Sequence, residues 1–363
     1  MFSLSNADKV LVVAPHPDDE SLGTGGLLQR IFVQKIPVRI LFATNGENNP
    51  WAQRYWEQRW HIGQPEQVRW GQRRREEALN AIRWLGGPPE CAKFLDLPDL
   101  GTTNLLMQGE ELLSLMVKEI RDWEPTLVLL PAMLDAHPDH SALAVTFSMA
   151  LELAGAPGIR SWEYLVHPPQ VPMPQKPVTF QVHAVEVERK KRAILCHKTQ
   201  VALSRKRFTS FAKVEETYYP RNLGQNNANN TSLRIGRLHE GILTFEFEVS
   251  FREKFHPEIL FVFDSSLNRH RWRLLVPRTS GGAQVWDTVG NRGLHQAIVR
   301  WSGRRLSVDI AMAGPPDSHA VYVKLSGPTV FFDRMGWNQF LVPVTQEPSP
   351  LREVEAPGLM TLS

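Results

Sequence analysis

Short apolar runs alternate with longer amphipathic stretches from residue 8 to about residue 155. The runs are rich in Val, Ile and Leu, which is typical of parallel strands that are covered on both faces. Gly86 and Gly87 end one of the longer stretches in the manner of a helix C-terminus. The pattern predicts a βαβ series, that is, a Rossmann-like, mostly parallel α/β sheet with helices on both faces. The predicted strands cover residues 10–14, 38–43, 93–96 and 127–130, and the predicted helices cover residues 21–34, 66–85, 109–123 and 139–153.

The pattern changes after an asparagine-rich segment. Residues 221–231 contain five asparagines and almost nothing to bury, so we place a domain boundary there. We expect a first domain over residues 1–224, a polar linker over 225–231 and a second domain over 232–363. In the second domain, about eight short strands follow one another, separated by Gly, Pro, Asn and Ser. This spacing predicts an all-β sandwich of the jelly-roll type. The predicted strands lie near residues 243–249, 259–263, 271–276, 284–289, 297–301, 305–310, 320–325 and 338–343.

Composition and charge are those of a folded, soluble protein and indicate no macromolecular partner. The 41 Lys and Arg against 38 Asp and Glu leave a net charge of +3, too small a surplus to indicate nucleic acid or an anionic membrane. The only cysteines, Cys91 and Cys196, fit a reducing compartment. We find no signal peptide and no apolar run near the roughly 20 residues of a membrane span. We therefore expect a cytoplasmic protein without a membrane span.

Two clusters of histidine and aspartate each follow a predicted strand. His-Pro-Asp-Asp-Glu at residues 16–20 follows the first strand, and Asp-Ala-His-Pro-Asp-His at residues 135–140 follows the fourth. The carboxyl ends of parallel strands share one edge of a sheet, where such folds bind ligands, so we expect the two loops to meet. Either cluster alone is more typical of a helix cap or a loop hydrogen bond. Together they indicate a metal site, because imidazole and carboxylate suit Zn²⁺ or a similar first-row ion.

A catalytic zinc site needs three protein ligands and an open position. His16, Asp19 and His140 supply that number of ligands. His16 and Asp19 are three residues apart and can converge on one ion, whereas Asp18 must point elsewhere. Asp18 is therefore left free to act as a base.

Both clusters resemble the signatures of the LmbE-like, or PIG-L-like, zinc-dependent N-acetylglucosamine deacetylases, which are an A-H-P-D-D-E box and a later H-P-D-H box. In this sequence Pro15 is inserted in the first box. The resemblance covers roughly residues 8–220 and not the β-rich region, so it marks residues 1–224 as the catalytic domain and 232–363 as an accessory domain. Further similar stretches are Thr44-Asn45-Gly46-Glu47, Arg74-x-x-Glu77 with Leu85-Gly86, Leu97-Pro98-Asp99, and Lys190-x-x-Ala193 with His197-x-Thr199-Gln200.

The resemblance implies a role for each site residue. Asp18 is implied as the general base that activates water. His137 is implied to stabilise the oxyanion as an imidazolium, with Asp139 holding its ring. Some family members carry a tyrosine two residues before the first histidine of the second box, where this sequence has Asp135, so the resemblance does not extend to a tyrosine that assists the oxyanion. The implied ligands of one Zn²⁺, or of another first-row divalent ion, are His16, Asp19 and His140, and the implied substrate-binding residues are Glu47, Arg74 and Asp99.

The function that we predict is removal of an N-acetyl or other short N-acyl group from an N-acetylglucosamine-type amino-sugar conjugate. One alternative is an amidase of the same mechanism that cuts a larger sugar-linked amide or thiol conjugate. Another is a carbohydrate-binding protein with an inactive first domain, against which the intact His and Asp clusters argue. The expected partner is an amino-sugar-containing small molecule or glycoconjugate, with no nucleic acid, and the sequence leaves a homo-oligomer open.

Tryptophans are concentrated in two places. Four of the eleven, Trp51, Trp56, Trp60 and Trp70, lie within twenty residues. They either pack this segment onto the body of the protein or onto another copy, or form an aromatic wall for a sugar or an apolar aglycone. The predicted second domain holds four more, which either fill a core and dock the domain or stack on sugars, and we expect docking. These four are Trp272, Trp286, Trp301 and Trp337.

Overall fold

The computed structural model describes residues 3–155, 158–169, 172–221, 233–239, 241–249, 257–264, 269–311, 320–326 and 336–341. The N-terminal part is an α/β structure around a seven-stranded sheet. Its strands are β1 (Val10–Ala14), β2 (Val38–Thr44), β3 (Ala92–Leu97), β4 (Leu127–Pro131), β5 (Arg160–Tyr164), β6 (Val178–Gln181) and β7 (Glu215–Pro220). Its helices are α1 (Asp19–Val33), α2 (Pro50–Glu57), α3 (Gln64–Leu85), α4 (Thr102–Gln108), α5 (Glu111–Trp123), α6 (Pro138–Leu153), α7 (Ala184–Cys196), α8 (Lys198–Val201) and α9 (Arg205–Thr209).

Alternate residues of each central strand face opposite helical layers. In β1, Leu11 and Val13 pack in a cluster with α4, α5 and α6. Val10 and Val12 pack in a second cluster with α1, α3 and α7. All five residues of β1 are fully buried, which explains why its sequence is continuously apolar rather than alternating.

The predicted parallel sheet with helices on both faces is confirmed. The strand order is β3-β2-β1-β4-β5-β7-β6. The first five strands are parallel, and β7 and β6 complete the sheet as antiparallel strands. The four predicted strands and four predicted helices are present with shifts of a few residues at their ends. The sequence also predicts a basic helical segment over residues 186–203, where α7 and α8 lie, and the prediction missed β5, β6, β7, α2, α4 and α9.

The C-terminal part is a nine-stranded antiparallel sheet in the order β16-β15-β10-β11-β12-β13-β14-β9-β8. Its two edge strands approach each other, since a Cβ added to Gly236 in β8 would lie 3.0 Å from the Phe340 ring in β16. The sheet is therefore curled. The strands are β8 (Leu233–His239), β9 (Ile242–Glu248), β10 (Glu258–Asp264), β11 (His270–Leu275), β12 (Gly281–Asp287), β13 (Arg292–Ser302), β14 (Arg305–Ala311), β15 (Ala320–Ser326) and β16 (Asn338–Leu341).

The predicted jelly-roll sandwich is not confirmed. The described strands form one curled sheet, in which β10 to β14 pair mostly with their neighbours along the chain, rather than two facing sheets. Alternation of apolar and polar residues predicts that a strand has one buried face, but it does not say which strands pair. The predicted linker over residues 225–231 lies outside the described residues. None of the described helices is long and apolar enough to cross a membrane.

Two strands of the curled sheet are buried on both faces. In β10, Phe261 points into the interior of the curled sheet, whereas Val262 joins the cluster formed by α4, α5 and α6. In β15, Val323 and Tyr322 divide in the same way. The outer face of the sheet therefore shares a core with the helices of the α/β structure.

The tryptophans of the sheet divide between core, docking and solvent. Trp337 is fully buried in the core shared with the helices, and Trp272 is 7% exposed inside the curled sheet. Trp301 packs partly buried against the same interior, while Trp286 is 43% exposed. Trp337 therefore docks the sheet onto the helices, whereas Trp272 and Trp301 fill the interior of the sheet.

Candidate metal centre and active site

The five parallel strands deliver the candidate site at their carboxyl ends. The first cluster, residues 16–20, follows β1 and runs into the first turn of α1, and the second cluster, residues 135–140, follows β4 and runs into α6. Because β1 and β4 are hydrogen-bonded neighbours, the two clusters meet as predicted. Asp99 follows β3, Glu47 follows β2, and His167 follows β5.

Three predicted ligands converge at distances that fit one ion. His16 Nδ1 lies 3.2 Å from Asp19 Oδ2, and His140 Nε2 lies 3.2 Å from the same oxygen. His140 Nε2 is 3.3 Å from His16 Nδ1. Ligands about 2.0–2.1 Å from a tetrahedral Zn²⁺ are separated by roughly 3.3–3.4 Å. The three side chains thus fit a zinc ion, and all are at most 6% exposed.

Further residues could share a metal with them. Ligand atoms within 4.8 Å of one another also occur in three overlapping groups: His16 with His137 and His140, Asp19 with His140 and His167, and His16 with Asp99 and Asp139. His167 has no metal-ligand spacing in the sequence, so a surface or core role is the expectation for it there. Its signal was its place directly beyond β5, the parallel strand next to β4, but β5 was not predicted.

Asp135 is a buried carboxylate that positions the second cluster. Its Oδ2 lies 3.3 Å from His140 Nδ1 and accepts the backbone N–H groups of Val166 and His167. Its Oδ1 accepts the N–H of His137. A carboxylate behind a ligating imidazole commonly sets the orientation of the ring, and Asp135 has that placement.

The Asp139 carboxylate is placed differently from what the resemblance implied. Its Oδ2 lies 3.2 Å from His16 Nε2 and accepts the Leu100 N–H, while its Oδ1 accepts two hydrogen bonds from Thr102. Asp139 reaches His137 through the backbone, because its N–H donates to His137 Nδ1 at 3.3 Å. The carboxylate of Asp139 therefore orients the His16 ring, and its backbone orients the His137 ring.

Burial also bears on the charge of the His137 ring. Burial, together with the nearby His16 and His140 rings, lowers the pKa of His137 well below its usual value, which favours the neutral ring. Since Nδ1 accepts the Asp139 N–H, a neutral His137 carries its proton on Nε2. His137 remains a lining residue of the cleft with a donor to offer there.

Asp18 lies beside the three predicted ligands and is held by Arg74. Asp18 Oδ1 accepts a hydrogen bond from Arg74 Nη2 at 3.1 Å, and Arg74 also donates to the carbonyls of Pro17 and Gly46. Burial raises the pKa of Asp18 to about 6, although the Arg74 guanidinium opposes that rise. Gly46 has a φ of +63°, and a Cβ there would lie 1.8 Å from Arg74 Nη1. Only glycine leaves room for this arginine.

The three predicted substrate-binding residues are found in different settings. Arg74 and Asp99 line the cleft above the site, which has a volume of about 270 Å³. Glu47 instead accepts the backbone N–H of Asp99 through Oε1 at 2.8 Å. Asp99 Oδ1 lies 3.1 Å from His16 Nε2, so Asp99 faces both the cleft and a predicted ligand.

The tryptophan-rich segment is only partly packed. Trp70 in α3 is fully buried, as packing onto the body requires, whereas Trp51, Trp56 and Trp60 are 57%, 36% and 90% exposed. Of the three exposed rings, Trp51 lines the cleft. Packing therefore explains Trp70 alone.

Comparison with known proteins places both clusters inside one family match. Residues 11–151 match the family described as PIG-L: GlcNAc-PI de-N-acetylase. Diacetylchitobiose deacetylase of Thermococcus kodakarensis is 28% identical over 156 residues, which are 42% of this chain and 52% of that protein. A probable N-acetyl-alpha-D-glucosaminyl L-malate deacetylase 2 of Bacillus subtilis is 30% identical over 152 residues, 40% of this chain and 61% of that protein. The chain thus spans less than two thirds of the length of these relatives.

Solved structures resemble the chain more distantly. The N,N'-diacetylchitobiose deacetylase from Pyrococcus horikoshii has a TM-score of 0.47 at 20% identity, over 61% of this chain and 87% of its own. A conserved protein from Thermus thermophilus has a TM-score of 0.45 at 24% identity, over 58% of this chain and 94% of its own. The matched residues 11–151 include both His and Asp clusters, and the chain is therefore similar to the PIG-L family over the segment that carries them.

Proposed function

We propose that the protein is a zinc-dependent N-deacetylase that removes an N-acetyl or other short N-acyl group from an N-acetylglucosamine-type amino-sugar conjugate. The observation that carries this proposal is the convergence of His16, Asp19 and His140 at 3.2–3.3 Å from one another, with Asp18 held beside them. The printed names of the relatives, which are deacetylases of diacetylchitobiose and of a glucosaminyl malate, support the substrate class.

His16, Asp19 and His140 would hold the Zn²⁺, which when bound would polarise the amide carbonyl and make water more acidic. Asp18, oriented by Arg74, takes a proton from the attacking water as the water oxygen bonds to the carbonyl carbon. His137 donates a hydrogen bond from Nε2 to the carbonyl oxygen as negative charge develops there. Asp18 then returns the proton to the amine nitrogen as the C–N bond breaks, which releases acetate and the free amino sugar.

We also propose that residues 1–224 form the catalytic domain and residues 232–363 an accessory domain that supports it. The backbone N–H of Trp337 donates to the Met133 carbonyl at 3.0 Å, and Lys324 Nζ lies 3.4 Å from Ser141 Oγ. Met133 precedes the second cluster by two residues, and Ser141 follows it directly. The sheet therefore contacts the chain on both sides of residues 135–140.

Acetate release from N-acetylglucosamine and N,N'-diacetylchitobiose tests the function. We expect release that stops when a chelator has removed the metal and returns when one equivalent of Zn²⁺ is added, because amide hydrolysis at this site needs the charge of the ion. The same chelator saturated with Zn²⁺ beforehand is the control and should not inhibit. Acetate release at an unchanged rate from protein shown to be metal-free would contradict the proposal.

A further inference from the structure

The cleft above the proposed metal site has an apolar rim, formed by Trp51, Leu203, Phe208 and Phe211. Trp51 is 57% exposed and Leu203 is 48% exposed, and Phe208 and Phe211 are half-buried. The inner end of the same cleft is lined by charged groups, including Asp18 and the predicted ligands. One cleft thus joins a polar floor to apolar walls at its mouth.

The apolar rim is fixed by short hydrogen-bonded elements. Trp51 lies in the first turn of α2, and Asn49 caps that turn by accepting the Ala52 N–H. The Asn49 side chain also donates to Gln200 Oε1 at 3.3 Å, which ties α2 to α8. Leu203 lies two residues beyond the end of α8. A hydrogen bond therefore links the cap of the helix that carries Trp51 to the helix that precedes Leu203.

The aromatic residues at the other end of the apolar rim are anchored from below. Phe208 and Phe211 pack against the buried cluster of α1, α3 and α7 and still line the cleft. Between Leu203 and Phe211, the cationic group at the mouth is Arg207, whose Nη2 lies 3.1 Å from His167 Nδ1. Arg207 therefore contacts His167, and its guanidinium also lies 6.0 Å from the centre of the Phe208 ring. The rim is apolar at Trp51, Leu203 and Phe211 and carries a cation beside Phe208.

Exposed apolar side chains at the mouth of a polar site indicate a ligand that is polar at one end and apolar at the other. We propose that the apolar rim binds an alkyl or aryl substituent carried by the amino sugar, so that the preferred substrates are amphiphilic amino-sugar amides. The substituent is either the N-acyl chain or the aglycone, which share this chemistry. This inference rests on the proposed function, since the amide must reach Asp18 while the substituent lies on the apolar rim.

Three substrates test the inference, each used below its micelle concentration: methyl N-acetylglucosaminide, octyl N-acetylglucosaminide and methyl N-octanoylglucosaminide. We expect kcat/KM for at least one octyl compound to exceed that of the methyl acetyl compound by roughly tenfold, the gain from burying about two methylene groups. A gain for the octyl glycoside assigns the apolar rim to the aglycone, and a gain for the octanoyl amide assigns it to the acyl chain. Equal values for all three would overturn the inference.

Matched tryptophan variants locate the effect. Trp51→Ala should reduce the octyl-to-methyl ratio at least threefold, and Trp51→Phe should restore most of it. Trp60→Ala is the control, because Trp60 is 90% exposed and does not line the cleft, and it should leave the ratio unchanged. An equal fall in the ratio for Trp51→Ala and Trp60→Ala would count against the apolar rim.

A binding measurement separates this inference from the proposed function. Calorimetric titration with octyl glucosaminide and methyl glucosaminide needs no turnover, and we expect the octyl compound to bind roughly tenfold more tightly. Tighter octyl binding without any acetate release would contradict the proposed function and support the apolar rim. Acetate release with equal binding of the two compounds would support the proposed function and contradict the apolar rim.

Discussion

Replacing Asp18 with asparagine should leave about one zinc ion bound per chain and lower kcat by about 10²- to 10⁴-fold, the usual contribution of a positioned general base. The asparagine keeps an oxygen for Arg74 Nη2, which now donates to Asp18 Oδ1 at 3.1 Å, so the cleft should keep its shape. It cannot accept a proton from water. The loss is therefore expected in turnover and not in metal content.

The matched variant is Asp19→Asn, one residue away in the same buried turn. Asp19 Oδ2 lies 3.2 Å from a nitrogen of both His16 and His140, and an amide is a far weaker ligand for zinc than a carboxylate. We expect this variant to purify with little zinc. Metal analysis and acetate release on the same samples check both variants. If zinc is lost from the Asp18 variant but kept in the Asp19 variant, Asp18 is the ligand and Asp19 is the base.

Most of the site could be predicted because it depends on strands with a strong sequence signal. β1 and β4 are short, wholly apolar and fully buried, and parallel pairing brings their carboxyl ends together. Once those two strands are recognised, the meeting of the clusters after them follows from topology. The separate settings of Asp18 and Asp19 follow from their adjacent positions in the chain.

The contacts behind the ligands could not be predicted in the same way. β5 reads Arg-Ser-Trp-Glu-Tyr and was missed because three of its five residues are polar; Glu163 is nonetheless buried against Arg221. Without β5, nothing placed His167 at the site. The contact of Asp139 with His16 likewise depends on how α6 begins against the loop after β3, which no local pattern encodes.

The curled sheet shows a second limit of sequence patterns. Alternation located most of its strands, but it assigned them a single buried face. β10 reads Glu-Ile-Leu-Phe-Val-Phe-Asp, in which five consecutive apolar residues indicate a strand covered on both sides. That run is explained by the core which the sheet shares with α4, α5 and α6, and the second cover comes from a distant part of the chain.

Gly336→Ala should destabilise the protein and weaken zinc binding at a site to which residue 336 contributes no ligand. A Cβ at Gly336 would lie 2.4 Å from the Leu134 Cα and 2.5 Å from the Met133 carbonyl oxygen. These are backbone atoms and cannot rotate away, so the chain entering the second cluster must move. Overpacking of this kind typically lowers the free energy of unfolding by about 1–3 kcal/mol, and the displaced segment leads directly to Asp135 and His140.

The control is Gly281→Ala, because a Cβ at Gly281 in β12 would meet nothing within 4 Å. We expect this variant to change the free energy of unfolding by less than about 0.5 kcal/mol and to keep the zinc affinity of the unchanged protein. Denaturant unfolding and zinc titration of both variants provide the measurement. A Gly336 variant that loses stability but binds zinc normally would show that the curled sheet supports the fold without positioning the metal site. Weaker zinc binding in the Gly336 variant alone would make the sheet part of the structure that holds His140 in place.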